Sequence, residues 1–254
     1  MLIARWLQEP AALGKPELEV VKAIISQWRL RLYDISWFMR GVNETIARMA
    51  NEEDGVQGRF WEGRFKSQAL LDEGAVLSCM AYVDLNPVRA GMESNLVDSD
   101  FTSIQQRLFD YVKYKSTKNR DESRLVKRIQ HQREIKREIG LQDLPEAPLM
   151  SFDGSSHTDI HFALPFTRED YFMLVDETGR VLREDKRGAI PDSAARIVSQ
   201  FGIKPDKWLE QVQNFSRRYG HCAGARNNIL NFAERFNLKW SKGVRCADKN
   251  YACG

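Results

Sequence analysis

The sequence lacks the long apolar runs and the cysteine pairs that are typical of membrane and secreted proteins. No stretch approaches the roughly 20 apolar residues that a membrane-spanning helix needs. The first ten residues, MLIARWLQEP, are interrupted by Arg5 and Glu9, which argues against a secretory signal peptide. The four cysteines form no CxxC pair and match no common zinc-site spacing. We therefore expect reduced thiols and a cytoplasmic protein.

The sequence also lacks a strong excess of charge of one sign. Lys and Arg total 38, Asp and Glu total 35, and the formal net charge is +3. An excess of this size does not by itself indicate a nucleic-acid partner, so the positions of the bases matter more than their number. Many of them cluster in 105–138, a run that fits either a surface tracking a DNA hairpin stem or an ordinary solvated helix face. Its basic residues are Arg107, Lys113, Lys115, Lys118, Arg120, Arg124, Lys127, Arg128, Arg133, Lys136 and Arg137.

Turn residues and charge runs divide the chain into four predicted segments: 1–100, a basic helical extension over 101–143, a linker and transitional segment over 144–190, and a three-helix region over 191–254. The predicted helices of the last segment end at Gly202, Gly220 and Asn237. This basic region could read duplex DNA as a helix-turn-helix does, although only an analogy of fold supports that idea.

An apolar stripe at spacings of three and four predicts one long helix over 16–51. The stripe consists of Ile24, Trp28, Leu32, Ile35, Met39, Val42 and Ile46. Gly41 is the predicted position of any break in this helix. A polar turn region is expected after residue 51.

The next segment, RFWEGRFK at 59–66, is rich in aromatic and basic residues. It is too short for a helix of its own, and we predict a strand. Alternation then places Phe60, Arg64 and Lys66 on one face, opposite Trp61. Cations beside a ring suit a single nucleic-acid strand, because the cations meet phosphates while the ring stacks on a base. The candidate contacts are Arg59, Phe60, Arg64 and Lys66, and the alternative is that the aromatic residues simply form core.

A further helix is predicted over 73–85. Asp72 can cap its first turn. Pro87 cannot occupy an interior helical position, and it pushes Asn86 out of the helical region. The expected core stripe of this helix is Val76, Met80 and Val83.

Tyr82 lies nearly opposite that stripe, which places it to project into a cleft. Its own face carries the small residues Ala75, Ser78 and Cys79. A tyrosine hydroxyl is a poor nucleophile at neutral pH, so it needs a metal ion that polarises the target phosphate, or a base. The carbonyl of Asn86, one turn away, suits a hard divalent cation. The alternative is a Tyr–Asn pair that stabilises the helix end, and spacing alone favours that alternative.

Three blocks between Ile35 and Gly91 occur in a specific order: WFMRGVNETIARMAN, GRFWEGRFKSQALLDE and YVDLNPVRAG. In this order they resemble the IS200-like transposase family, and specifically its REP-associated branch. Weaker similarity continues through DFTSIQQRL and into the C-terminal region. The ordered set is quite specific, whereas YxxxNPxRAG alone would be only a moderate signal.

The resemblance implies a ferredoxin-like domain of the HUH/Y1 type, followed by a helical C-terminal region, so the fold expected is α+β and mostly helical. In this family a helical tyrosine attacks a phosphodiester of hairpin-forming single-stranded DNA and forms a 5′-phosphotyrosine. Tyr82 matches that tyrosine. Asn86 matches the polar residue that helps to hold Mg²⁺ or Mn²⁺. Arg89 is a candidate phosphate contact, and its alternative role is a charge that interacts with the helix C-terminus.

The chain departs from the family pattern in one respect. The main metal ligands of the family form a His–hydrophobic–His motif on a strand upstream of the first block. All four histidines of this chain lie downstream of Tyr82 and none belongs to such a motif: His131, His157, His161 and His221. We therefore expect a chain that is truncated at its N-terminus and lacks the metal site.

Two principal hypotheses follow. The first is a transposase that binds hairpin-forming single-stranded DNA and carries out tyrosine-mediated strand cleavage and transfer. The second is a non-catalytic DNA-binding remnant without the metal site. A third class, an RNA-binding or structural protein, would be favoured if RNA competed better than single-stranded DNA.

Overall fold

The chain folds as a mostly helical α+β protein. A computed structural model describes residues 2–115, 120–138, 140, 147–153, 163–183 and 190–252. They divide into two compact units, Met1–Ser67 and Gln68–Gly254, here called unit 1 and unit 2. The two units are built differently.

Unit 1 consists of helices α1 (Leu2–Gln8), α2 (Lys15–Leu32) and α3 (Ile35–Glu53). The single helix predicted over 16–51 is therefore wrong, and the break does not occur at Gly41. The chain instead leaves the helical path at Tyr33, and the Asp34 carboxylate accepts a hydrogen bond from the backbone N–H of Ser36 at 2.8 Å. This side-chain cap starts a second helix, which periodicity alone does not reveal.

The apolar stripe of unit 1 exists, but most of it is exposed. Within this unit only Leu13 and Val21 are buried among the hydrophobic side chains that the structure describes. Helix α3 has no buried residue, although it carries apolar residues at helical spacing on one face. Its exposed members are Ile35, Phe38, Val42, Ile46 and Met49.

Unit 2 contains nine α-helices and one 3-10 helix (Pro205–Lys207) among its described residues and holds the main hydrophobic core. The α-helices are α4 (Glu73–Asp84), α5 (Asn86–Arg89), α6 (Ser103–Lys115), α7 (Arg120–Glu138), α8 (Arg168–Arg183), α9 (Asp192–Gln200), α10 (Trp208–Arg218), α11 (Arg226–Arg235) and α12 (Val244–Asn250). The short strands β1 (Ala69–Leu70) and β2 (Cys222–Ala223) pair in parallel, with Ala69 opposite Cys222. This pairing joins the start of the unit to a segment about 150 residues later in the chain.

Two of the predicted helix ends in the C-terminal region are confirmed, and each lies beside a residue with a positive φ. Helix α9 ends one residue before Phe201, and Gly202 follows with φ at +71°. Helix α11 is followed by Asn237, whose φ of +52° lies in the left-handed region. These two residue types tolerate that region best, which is why the sequence indicated both ends.

Helix α8 lies in the range for which a linker and transitional segment was predicted. For 168–183 that interpretation is wrong, because Tyr171, Leu174 and Val175 are fully buried in the core. Their spacing is helical, but many charged residues on the other positions hide the periodicity in the sequence. Half of the Pro- and Gly-rich stretch 144–157 lies outside the described residues, as do His157 and His161.

Candidate functional site

Asp72 begins helix α4, as predicted, and also connects it to a distant helix. One carboxylate oxygen of Asp72 accepts a hydrogen bond from the backbone N–H of Ala75 at 2.8 Å. The other accepts from the Ala225 N–H at 2.6 Å and from the Asn228 side chain at 3.0 Å, at the start of α11. A Cβ added to Gly224 would approach this carboxylate to 2.5 Å, so only glycine fits there. The position of α4 is therefore fixed at its N-terminus.

The face that α4 buries differs from the predicted one. The side chain of Val83, expected in the core, is 53% exposed, whereas Ala75, Ser78 and Ala81 are fully buried. These small residues belong to the face that packs against α10. Small side chains allow two helix backbones to approach closely, and Gln211 of α10 donates a hydrogen bond to the Ser78 hydroxyl at 3.4 Å. Small residues on α4 thus indicate a helix contact rather than an open cleft.

Tyr82 lies at the edge of this contact between α4 and α10. Its ring is half-buried, with its centroid 6.0 Å from that of Phe215. Its hydroxyl donates a hydrogen bond to the Oγ of Ser216 at 2.9 Å, and Ser216 is itself exposed. The ring therefore does not project from the far side of the helix. Its oxygen nevertheless reaches the protein surface.

Arg89 covers the ring of Tyr82. Helix α5 follows α4 almost directly, and its first turn contains Pro87, which the missing N–H permits at that position. The guanidinium carbon of Arg89 lies 4.4 Å from the ring centroid, and one of its nitrogens donates to the backbone carbonyl of Tyr82 at 3.3 Å. The cation–π contact and the hydrogen bond together fix the guanidinium beside the phenol.

Asn86 is not the partner of Tyr82. The prediction that it leaves the helical region is wrong, because it is the first residue of α5. Its side chain is exposed and makes no hydrogen bond to any residue that the structure describes. The Tyr–Asn pair proposed as a helix-end device is therefore not formed in the described part of the chain.

Two residues of α10 complete the cluster. Ser216 contacts the Tyr82 hydroxyl, and the neighbouring Arg217 is exposed. Arg217 has no ion-pair partner among the described residues, whereas Arg218 is paired with Glu210. Two hydroxyls and two guanidinium groups thus come from three helices of unit 2, namely α4, α5 and α10. We call Tyr82, Arg89, Ser216 and Arg217 the tyrosine cluster.

The aromatic and basic segment over 59–66 does not form a strand, and that prediction is wrong. No described strand runs beside it, and Gly58 has a φ of +124°. Trp61 instead donates its indole N–H to the backbone carbonyl of Asn43 in α3 at 2.8 Å. Arg59 donates to the carbonyl of Trp61 at 2.8 Å. The segment packs on α3 through its aromatic residue rather than through a ladder of backbone hydrogen bonds.

The side chains predicted to contact nucleic acid in this segment are exposed: Arg59, Phe60, Arg64 and Lys66. The ring of Phe60 is 42% exposed and contacts Trp61 edge-on, with centroids 4.9 Å apart. All four belong to unit 1, whereas the tyrosine cluster belongs to unit 2. Each set is a candidate surface of its own unit.

Part of the basic run over 105–138 is engaged inside the protein. Arg128 contacts Asp98 at 3.1 Å, Asp100 at 2.7 Å and Glu93 at 3.2 Å. The hydrogen bond from Arg128 lowers the pKa of Asp100. Arg124 also contacts Asp98, at 2.8 Å. These bases hold α7 against the segment before α6, so they are not available to track a DNA stem.

Arg107 is another internal member of the run. It donates to the backbone carbonyl of Met150 at 2.9 Å, and its guanidinium lies 4.5 Å from the ring centroid of Phe152. Burial lowers the pKa of Arg107. It lines a pocket of about 760 Å³ together with Arg168, and no member of the tyrosine cluster lines that pocket.

Asp84, two residues after Tyr82, is a buried anchor that the sequence did not reveal. Its side chain accepts hydrogen bonds from the Ser103 hydroxyl at 2.8 Å, from the Ile104 N–H at 3.1 Å and from the Tyr171 hydroxyl. Burial raises the pKa of Asp84, and burial also raises the pKa of Tyr171. The three partners attach α4 to α6 and α8, which keeps the C-terminal end of the tyrosine helix in place.

The described residues do not supply a ligand set for Mg²⁺ or Mn²⁺. They contain no group of three or more His, Cys, Asp or Glu side chains that could hold a metal ion. Asn86 and His221 are exposed, and the ionisable partner of His131 among the described residues is the exposed Glu134, at 3.8 Å. The donor set seen here therefore does not fit the divalent cation that the sequence pattern implied.

Two broader findings complete the description. Among the described residues, no helix has both the length and the apolar character needed to cross a membrane. The chain matches no protein-family model, no curated protein and no solved structure.

Proposed function

We propose that this chain is a transposase-type protein that binds hairpin-forming single-stranded DNA, with the tyrosine cluster as a contact for a phosphate of the strand. The observation that carries the proposal is the position of the Arg89 guanidinium, 4.4 Å over the ring of Tyr82, at a surface that also presents Ser216 and Arg217. The resemblance of the ordered sequence blocks to IS200-like transposases supports the choice of DNA.

The chemistry of the cluster suits a phosphodiester. Guanidinium groups form charge-assisted hydrogen bonds to phosphate oxygens, and hydroxyls can donate to the same oxygens. Arg217 brings a charge that no described carboxylate neutralises. Arg89 covers one face of the Tyr82 ring, so that face is closed to a stacking base. The cluster is therefore proposed to bind backbone rather than to read sequence.

In the proposed relationship, α4 corresponds to the tyrosine helix of a ferredoxin-like domain. The described residues of this chain form only two strands of two residues each, and α4 packs on α10. Helix α10 thus provides the surface that a sheet provides for the tyrosine helix in the resembled family. The packing of α4 on α10 brings Ser216 into contact with Tyr82, and the exposed Arg217 is the next residue of α10.

Strand transfer by Tyr82 is a second candidate function. The observation that favours it is that the phenol oxygen reaches the surface, where it is hydrogen-bonded only to an exposed hydroxyl among the described residues. The phenol oxygen would form a bond to phosphorus and release its proton, the bond from phosphorus to the 3′ oxygen would break, and the leaving 3′ oxygen would take up one proton, so that no net proton is gained or lost. The described residues contain no ligand set that fits a divalent cation for this step.

Binding is tested with a fluorescently labelled hairpin oligonucleotide that carries a single-stranded flank. We expect Arg89→Ala and Arg217→Ala each to weaken binding several-fold at moderate salt. Arg226→Ala is the matched control, because Arg226 lies in the same unit but is paired with Asp248 at 2.7 Å. Equal affinity of all four proteins for the oligonucleotide would contradict the proposal. Stronger competition by RNA than by single-stranded DNA would favour an RNA-binding protein.

Covalent chemistry is tested separately. The protein is incubated with the same oligonucleotide and Mn²⁺ and then analysed on a denaturing gel. A covalent adduct that is absent in Tyr82→Phe and retained in Ser216→Ala would support strand transfer. Binding without an adduct would support the non-catalytic alternative, a DNA-binding protein in which Tyr82 contacts phosphate without attacking it.

A further inference from the structure

The connection between α11 and α12 exposes aromatic rings beside a run of positive charge. Trp240 is 76% exposed and Phe236 is 56% exposed. Residues 235–245 contain four basic residues and no acidic one. The four are exposed, and none has an ion-pair partner among the described residues: Arg235, Lys239, Lys242 and Arg245. We call residues 236–243 the Trp240 loop.

The Trp240 loop is anchored at both ends. At its start, the Leu238 N–H donates to the backbone carbonyl of Ala233 at 2.8 Å, and Asn237 takes a left-handed conformation. At its end, a Cβ added to Gly243 would lie 2.6 Å from the ring of Tyr219, so the backbone there packs directly on a buried side chain. The exposed tryptophan is thus part of an ordered loop and not of a frayed end.

The middle of the loop also contacts the core of unit 2. The hydroxyl of Ser241 lies 3.5 Å from the sulfur of Cys222 in β2, and Cys222 is fully buried. A Cβ added to Gly220 would lie 3.1 Å from the Cβ of Lys242. The two residues that flank Trp240 on its C-terminal side are therefore held in place, which restricts the directions available to its ring.

The charge pattern decides which partner suits the loop. An acid-free run of four cations is complementary to a polyanion. A duplex shows its phosphates but keeps the faces of its bases stacked, whereas an unpaired strand offers both phosphates and base faces. A membrane-binding element would need a continuous apolar face, and here the polar residues Asn237 and Lys239 lie between Phe236 and Trp240.

We propose that the Trp240 loop is a stacking platform for an unpaired base of single-stranded DNA, with Lys239 and Lys242 contacting the phosphates on either side. This inference rests on the proposed function, because it assigns the loop to the strand that the tyrosine cluster binds. It adds a second contact, of a different kind, at a position that neither the ordered sequence blocks nor the cluster includes. The tyrosine cluster binds backbone, and the loop binds a base.

The test uses the full chain and a hairpin oligonucleotide whose single-stranded flank carries 5-iodouracil. Irradiation should crosslink the flank to the peptide that contains Trp240. Trp240→Ala should weaken binding of the flanked hairpin by roughly 5- to 100-fold, and Trp240→Phe should retain most of the affinity, because a phenyl ring still stacks. Trp28→Ala is the matched control, since Trp28 is an exposed tryptophan of unit 1 outside this loop.

The outcomes separate the two proposals. If the hairpin binds and Arg89→Ala weakens binding, but Trp240→Ala has no effect and no crosslink forms at Trp240, the loop proposal fails and the tyrosine cluster stands. If no oligonucleotide binds, both fail. Loss of binding to phosphatidylglycerol vesicles in Trp240→Ala, without loss of DNA binding, would overturn the proposal in favour of a membrane surface.

Discussion

Unit 1 and unit 2 both carry amphipathic helices, but Leu13 and Val21 are the only buried hydrophobic residues among those described in unit 1, whereas unit 2 holds the main hydrophobic core. Helix α3 presents an apolar stripe without a single buried residue, whereas α8 buries Tyr171, Leu174 and Val175 completely. An apolar stripe thus indicates a helix but does not show whether a partner covers it. Because burial of apolar surface is the main source of stability, we expect the stability of the chain to reside in unit 2.

The largest expected difference between the units is in the loss of unfolding free energy when a tryptophan is replaced by alanine. Trp208 in α10 is fully buried and donates its indole N–H to the Thr178 hydroxyl at 2.8 Å. Trp208→Ala should lower the free energy of unfolding by about 3–5 kcal/mol in a denaturant titration. Trp28→Ala in unit 1 should change it by no more than about 0.5 kcal/mol. Similar losses in the two variants would contradict the division into a packed and a sparse unit.

The next largest effect is expected at Asp84. Asp84→Ala leaves the hydroxyls of Tyr171 and Ser103 and the N–H of Ile104 without their acceptor, and should cost about 2–4 kcal/mol of unfolding free energy. Asp84→Asn should cost less, because its amide oxygen can still accept. Equal losses in the two variants would show that the hydrogen bonds do not determine the effect.

Asp84 also gives the stability a defined pH dependence. Burial holds its pKa above the unfolded value, which is about 3.9 for a free aspartate. The folded state therefore binds this proton more tightly, and the resulting stabilisation is fully present below the unfolded pKa and lost as pH rises through the folded pKa. As the pH falls from above the folded pKa of Asp84 to below its unfolded pKa, the free energy of unfolding of the wild-type protein should rise relative to that of Asp84→Asn. A constant difference at all pH values would contradict this.

A smaller difference in unfolding free energy between the units is expected when an ion pair is removed. Arg128 contacts three carboxylates in unit 2, and its removal should cost about 1.5–3 kcal/mol near neutral pH. The pKa of Asp100 is lowered by this contact, so the contribution is present above the unfolded pKa and lost as pH falls through the folded pKa. Arg48 in unit 1 pairs only with the exposed Glu44, and Arg48→Ala should not change stability measurably. A large loss in Arg48→Ala would contradict this comparison.

Local sequence signals predicted those parts of the fold that local chemistry determines. Asp72 was identified as a cap because a carboxylate satisfies free backbone N–H groups, and Gly202 and Asn237 as helix ends because they tolerate positive φ. Tyr82 was placed correctly on a helix. Its surroundings were not predicted, because Ser216 lies 134 residues further along the chain and no local pattern reveals such a contact.

The errors have related causes. The side chains of the segment over 59–66 alternate as in a strand. No described strand lies beside it, so its backbone has no partner for the hydrogen bonds that a strand needs. On α4, Val83 was expected inside because it is apolar, yet the helix packs through Ala75, Ser78 and Ala81, whose small size permits close contact with α10. A prediction from periodicity uses only the apolar character of the residues and does not include the space that a neighbouring helix needs.

The most direct test of the account is the salt dependence of DNA binding by an Arg89→Gln/Arg217→Gln double variant. If both guanidinium groups contact phosphates, the slope of log affinity against log salt concentration for a single-stranded ligand should fall in magnitude by about 1.4, with weaker binding at every salt concentration. Arg226→Gln, with its side chain paired to Asp248, should keep the wild-type slope. A double variant that keeps the wild-type slope and affinity would show that the tyrosine cluster does not bind the DNA backbone.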